Sequence, residues 1–387
     1  MSAKRAYLDY NASAPLLPEA REAMLAALEV PANASSVHRD GRLARRMVDE
    51  ARRKVAALAG ADPAHVVFTS GASEAAAWLL SPDWRMGRGA LRFSRLYVGA
   101  TEHPCVLSGG RFAPEDVERL PVDRDGIVDL LLLEARLAAH DRNAGLPLVA
   151  IQAANNETGV IQPLADAERI VNTAGGVLIV DAVQAAGRIP VDISESFGDF
   201  IILSSHKIGG PKGAGAVAGK ADLMMPLPLV LGGGQERGHR AGTENVAAIA
   251  GFGVAAAVAA EKLGDMNKVR ALRDRLEGIV AELAADAVFY GREAPRLANT
   301  SFFSLPGMKA ETMQIAFDLA GVSLSAGSAC SSGKVGPSHV LKAMGFGDDV
   351  SALRVSLGHS TADSEIETFR AALAELVSRR ASAVKAA

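Results

Sequence analysis

The stretch Asp199-Phe-Ile-Ile-Leu-Ser-Ser-His-Lys207-Ile-Gly-Gly-Pro-Lys-Gly-Ala-Gly215 decides how the chain is read, because a short apolar run delivers one lysine into a segment crowded with glycine. Phe200 to Leu203 has strand length and no polar alternation, the pattern of a strand buried on both faces. Ser204, Ser205 and His206 follow it as groups able to face a ligand. The glycines and Pro211 let backbone turn sharply or pass close to a bulky group. Read alone, such a segment is more often a surface turn with a solvated lysine. A lysine held between buried backbone and a polar ligand can instead bond covalently to an aldehyde, provided its amine loses its proton.

The upstream stretch Gly176-Val-Leu-Ile-Val-Asp181-Ala-Val-Gln184 overturns the surface reading. Its unbroken apolar run suits a second buried parallel strand, and Asp181 stands at the carboxyl end, where open α/β sheets place their ligands. An aspartate at one strand end and a lysine at another is the pairing a pyridoxal phosphate site needs. The carboxylate keeps the pyridine nitrogen protonated and the lysine carries the aldehyde. These residues resemble the class V aminotransferase group of fold-type-I pyridoxal phosphate enzymes, and within it the cysteine desulfurases of the NifS/IscS kind. The resemblance implies an α/β fold with a mostly parallel central sheet in a large domain and a smaller α/β domain beside it.

Further motifs carry the same resemblance. Val66-Val-Phe-Thr69-Ser-Gly-Ala72-Ser73-Glu74 reads as strand, glycine turn and helix start. The free N–H groups of that first turn, with the Ser73 hydroxyl, suit a phosphate dianion, although Ser73 is equally a good helix cap. Thr101-Glu-His103-Pro-Cys105 follows a strand around Leu96 to Val98, and Asn155-Asn156-Glu157-Thr-Gly159 follows another. The family likeness implies that His103 stacks on the cofactor ring and assists proton transfer, a job suited to imidazole near neutral pH. It also implies that Asn156 and Gln184 contact the cofactor oxygen, and that Ala72, Ser73, Ser204, His206 and Lys207 complete the cofactor site. In Leu229-Val-Leu-Gly-Gly-Gly234-Gln-Glu-Arg-Gly238-His-Arg240-Ala-Gly-Thr243 it implies that Thr243 reaches the cofactor phosphate of a neighbouring subunit, making the active unit a homodimer. Asn11, Asn33, Asn156 and Arg354 are the implied substrate contacts. Arg354 lies in the apolar run Ala352-Leu-Arg-Val, where a buried guanidinium needs either a substrate carboxylate or an internal salt bridge.

Ser325-Ala-Gly-Ser-Ala329-Cys330-Ser-Ser-Gly sets a cysteine among small residues before a helix, unlike a packed structural thiol. The resemblance makes Cys330 the nucleophile that takes sulfur from L-cysteine as a persulfide, releases L-alanine, and passes the sulfur to an acceptor such as an iron–sulfur scaffold or sulfur carrier. Lys207, Cys330 and His103 are then the catalytic set. Cys105 reads as a packed small hydrophobe. An aminotransferase or selenocysteine lyase of the same family, or a sulfur-relay scaffold without turnover, remains open at this point.

The bulk composition agrees with an ordinary globular chain. Its 387 residues exceed one common core, and the expected division is 15–255 for the large domain, with 1–14 and 256–387 forming the small domain that carries Cys330. A net charge of −3 gives no electrostatic case for nucleic acid or a membrane surface. Two cysteines make a disulfide framework improbable, no Cys/His cluster has metal-site spacing, and no run is expected to reach membrane-spanning length. A reducing cytoplasm is the expected setting.

Overall fold

The computed structural model describes residues 5–327 and 337–386. Cys330 lies outside the described residues. The four apolar runs that read as doubly buried strands form the centre of the sheet: β4 (Gly89–Gly99), β6 (Leu146–Gln152), β7 (Val177–Asp181) and β8 (Phe200–Ser204) lie side by side and parallel. β5 (Val117–Leu120) adds a parallel strand on β4. Beyond β8 the direction alternates, with β9 (Gly215–Gly219) antiparallel to β8 and β2 (Val66–Thr69) antiparallel to β9. At the other edge β3 (Asp83–Met86) and β10 (Met224–Pro226) complete nine strands. β4 starts well before the expected Leu96, because its first half pairs with β3 as a hairpin.

Helices cover both faces. α1 (Pro18–Leu28) and α2 (Arg39–Ala59) pack against α7 (Val246–Glu261). α2 begins at Arg39, where the His38 ring caps it by accepting the Gly41 N–H at 3.2 Å. α7 can approach α2 closely because Gly253 has no side chain, and a Cβ there would stand 2.5 Å from the Ala51 Cα. The helical run Val246–Leu283 is long and apolar enough to cross a membrane by length and composition, contrary to the sequence expectation. In the fold, its Phe252, Ala255 and Ala256 are fully buried, as in a core helix.

A second core lies around the antiparallel sheet β11 (Val288–Phe289), β12 (Thr300–Ser304), β15 (Leu353–Ser356) and β14 (Ser325–Ala326). α8 (Met266–Leu283), α9 (Ala310–Leu319) and α11 (Asp363–Ala386) pack on it, with Phe317 and Phe369 stacked at 5.1 Å. Two short strands follow α9: β13 (Val322–Ser323) pairs with β1 (Ala6–Tyr7), and β14 turns to β15. Ala6 and Leu8 therefore belong to this core. The expected boundary at residue 255 falls inside α7, whose Ala256 and Ala259 still pack in the first core, and the second core opens at Met266.

Candidate active site

The carboxyl ends of β6, β7 and β8 open on one cavity of about 530 Å³. Parallel strands bring their last residues to one edge, so polar groups at the ends of apolar runs converge without being near in sequence. Ala72, Ser73, His103, Asn156, Asp181, Gln184, Ser204, His206 and Lys207 all line this cavity, together with Cys105. Each of these was expected in the site except Cys105.

Lys207 sits in a short helical turn after β8 and reaches back across the cavity. Its Nζ donates to the backbone carbonyls of Asn11, at 2.7 Å, and Ala12, at 2.9 Å. Asp181 ends β7, accepts the Val183 N–H at 3.0 Å, and is open only to the cavity. Burial pushes its carboxyl up to about 6, against the opposing pull of that N–H and of Lys207. Behind it lies a second carboxyl, Glu102, which accepts the Gln152 N–H at 2.6 Å and is raised well above the usual range by burial and then by Asp181.

His103 caps α4 (Pro104–Leu107), its Nδ1 accepting the Cys105 N–H at 3.2 Å, which leaves the proton of the neutral ring on Nε2. Burial, then the charges of Lys207 and His339, lower it to about 4, so the ring is neutral at ordinary pH. The Cys105 thiol lies 3.0 Å from the same Nδ1 and also bonds Ser73. Burial and the neighbouring Asp181 push that thiol up to about 12, which keeps it protonated and inert, in line with its packing role.

α3 (Ala72–Leu79) begins at Gly71 without a side-chain cap, so the cavity wall at Ala72 and Ser73 is an uncapped helix start. Glu74 braces the turn, accepting the Ser70 N–H at 2.8 Å and Arg240 Nε at 3.0 Å. A donor set of this kind can hold an anion at α3, a proton shared with Asp181, and an aldehyde at Lys207.

Four expected residues lie elsewhere. Arg354 is 1% exposed and pairs with Asp9 at 2.8 Å, while its Nη1 donates to the Asn156 carbonyl at 3.1 Å. Of the two partners open to it in sequence, the structure supplies the internal salt bridge, one residue behind the cavity wall. The Asn11 side chain is fully buried, donating to the Asn156 carbonyl at 3.2 Å and to Thr300 Oγ1 at 3.0 Å. Asn33 is exposed and accepts the Ser35 N–H in its own turn. Thr243 is exposed in a neighbouring recess with Arg240 and Glu244, outside the main cavity. The sequence reading passed over Lys212, Gln152 and the Ala12 carbonyl. Lys212, within the glycine-rich segment, carried the one legible signal, because a backbone acceptor leaves no residue-type signature.

A lysine and a carboxylate that follow adjacent parallel strands, facing an uncapped helix start, form a cavity of the kind α/β enzymes place at their strand ends. Comparison with known proteins narrows the class. The aminotransferase class-V family matches residues 6–369, and the chain belongs to that family. It is 43% identical to a cysteine desulfurase of Frankia sp. (strain EuIK1), over 96% of this chain and 90% of the relative. It is 38% identical to an IscS-like cysteine desulfurase of Mycobacterium tuberculosis, over 99% of this chain and 98% of the relative. Among solved structures, a NifS-like protein from Rickettsia africae superposes with a TM-score of 0.86 at 31% identity, covering 96% of this chain and 99% of that one.

Proposed function

We propose that the protein is a pyridoxal phosphate-dependent cysteine desulfurase that converts L-cysteine to L-alanine and leaves the sulfur on Cys330. The observation that carries this reading is the placing of Lys207 and Asp181 on one cavity at the ends of neighbouring strands, beside an uncapped helix start. The residues fit the cofactor: an anion site at α3, a buried carboxylate able to hold the ring-nitrogen proton, and the Lys207 amine within the cavity wall. When bound, pyridoxal phosphate supplies an aldehyde and an electron-accepting ring.

Ser73 and the first turn of α3 would hold the phosphate, with Ser204 and His206 lining the same cavity. Asp181 would keep the ring-nitrogen proton in place, and His103, neutral at ordinary pH, would offer the ring an aromatic face. Gln184 is steered by Arg188, which donates to its side chain, while its own Nε2 donates to the Asn11 carbonyl at 3.0 Å. Lys207 Nζ, parked on the Asn11 and Ala12 carbonyls, is the group that takes the substrate α-proton and returns a proton to the product. Asn156 faces the substrate, and Arg354, held behind it by Asp9, fixes Asn156 through its backbone carbonyl. The Cys330 thiolate attacks the sulfur of L-cysteine. Its S–S bond forms as the substrate C–S bond breaks, and protonation of the carbon left behind gives alanine.

Thr243 does not line its own chain's cavity, which supports a homodimer in which it completes the neighbouring phosphate site. The sulfur then passes to an acceptor protein. The test is incubation of the holoenzyme with L-cysteine, scoring alanine and sulfide together, beside the Cys330→Ser variant. The parent forms alanine and protein-bound sulfur; the variant binds cofactor and forms neither. Wild-type alanine formation by Cys330→Ser would refute the assignment of the nucleophile.

A further inference from the structure

Two separate points of the chain meet on one buried carboxylate that the proposed chemistry does not use. Glu157 follows the Asn155-Asn156 pair after β6 and is 1% exposed. Its backbone is fixed by its own turn, the N–H donating to Asn155 Oδ1 at 2.8 Å. Its Oε2 accepts the Ser338 hydroxyl at 2.6 Å. Ser338 in turn caps α10 (His339–Ala343), its Oγ accepting the Leu341 N–H at 3.1 Å. The same Oε2 lies against Gly327: a Cβ built there would stand 2.8 Å from it and 2.7 Å from the Phe302 ring. Gly327 is itself tied by its N–H to the Ala352 carbonyl at 2.9 Å. One carboxylate oxygen therefore accepts from Ser338, on one side of Cys330 in the chain, and lies close to Gly327, on the other side.

We propose that Glu157 is a positioning residue for the segment bearing Cys330, fixing its two ends to the Asn155–Glu157 turn that also presents Asn156 to the cavity. Glu157 does this from the same rigid turn, so the ends of the segment and the substrate-facing wall share one reference point. A second tie runs beside it, from His339 Nε2 to the Glu102 carbonyl at 3.0 Å. Only the catalytic consequence depends on the reading of Cys330 as nucleophile; the anchoring itself does not.

The tie is sensitive to charge, since a hydroxyl donates more strongly to an ionised carboxylate than to a neutral one. Burial pushes Glu157 up to about 7, while the Ser338 hydroxyl on α10 and the Arg354 charge on β15 pull it down. The anchor is thus stronger above neutral pH and weaker below it.

The experiment compares holoenzyme of the parent, Glu157→Gln, Ser338→Ala and the double variant. Hydrogen exchange at the Leu341 amide reads the anchor, iodoacetamide labelling of the Cys330 peptide reads the segment, and kcat and KM are measured separately. Losing a hydrogen bond to a charged group should speed Leu341 exchange by about tenfold. Turnover should fall by a similar factor in kcat with KM little changed, and cofactor absorbance should stay as in the parent. The double variant should be no worse than Ser338→Ala alone, because loss of the hydroxyl already removes the contact that Glu157→Gln weakens. In the parent, exchange corrected for its intrinsic pH dependence should rise as pH falls through about 7. In Glu157→Gln it should not. Unchanged Leu341 exchange in Glu157→Gln, or additive effects in the double variant, would overturn the proposal. If Glu157→Gln does not fold, Glu157→Asp, which keeps the charge but withdraws the carboxylate from Ser338, makes the same test. Should exchange respond as expected while Cys330→Ser retains turnover, the anchor stands and the assigned nucleophile falls.

Discussion

Replacing Asp181 with asparagine should move stability and cofactor affinity in opposite directions. In the cofactor-free protein, enclosure raises the Asp181 carboxyl from an ordinary 3.8 to about 6. The folded chain therefore binds this proton more tightly than the unfolded chain does. Its contribution is fully present below about pH 4 and is lost as pH rises through about 6. The full displacement corresponds to at most about 3 kcal/mol, and cavity water screens part of it, leaving about 1 to 2 kcal/mol. At pH 8 the cofactor-free Asp181→Asn protein should resist urea better than the parent by that amount, and the difference should shrink toward zero near pH 4. Pyridoxal phosphate binding should show the reverse. Loss of a hydrogen bond to a charged partner, about 1.5–3 kcal/mol, weakens affinity by about 10- to 150-fold. Urea unfolding at the two pH values and fluorescence titration of the cofactor-free protein measure the two effects. A variant no more stable at pH 8 that binds the cofactor as tightly as the parent would show that Asp181 is neither strained by burial nor aimed at the ring.

Lys207→Ala should retain the cofactor noncovalently through Ser73, Asp181 and Ser204, yet lose turnover. Borohydride followed by denaturation should leave the cofactor attached to the parent and not to the variant, and full activity in the variant would remove the central assignment. Arg52→Ala breaks the buried pair in which Arg52 Nη1 and Nη2 meet Glu236 at 2.6 and 2.7 Å. It leaves the Glu236 carboxylate with the Phe68 N–H at 2.9 Å, in a turn where Glu236 and Arg237 have φ of 46° and 56°. Removing one partner of a buried ion pair costs about 3–5 kcal/mol, so the urea midpoint should fall steeply. A loss below about 1 kcal/mol would mean that the turn carrying Thr243 is held by other contacts.

The parts of the site legible in the sequence were those that strand ends dictate. Asp181 and Lys207 could be placed because an apolar run buried on both faces must release its first polar residues at the sheet edge, and parallel neighbours release theirs on the same side. Ser73 and His103 were legible through the short polar motifs that follow β2 and β4, Ser70-Gly-Ala-Ser73 and Thr101-Glu-His103. Residues whose role depends on a distant partner were not. Nothing near Arg354 in the chain announces Asp9, which comes from the N-terminal segment to pair with it. Nor does any local signal show that the Asn11 carbonyl receives both Lys207 and Gln184.

Glu157 marks the limit between the two kinds of residue. Its motif was visible, and the asparagine beside it was assigned to the cavity, but the carboxylate points away from that cavity toward Ser338 and Gly327. In a tight turn, neighbouring side chains serve opposite directions, so the residue facing the ligand and the residue holding the structure behind it occur together in one short motif. The motif therefore couples two tasks that must stay in register: presenting Asn156 to the substrate and fixing the ends of the segment that brings Cys330. A change that keeps the fold but turns Glu157 away should loosen the second task while leaving the first, which is the separation that exchange at Leu341 and the split between kcat and KM detect.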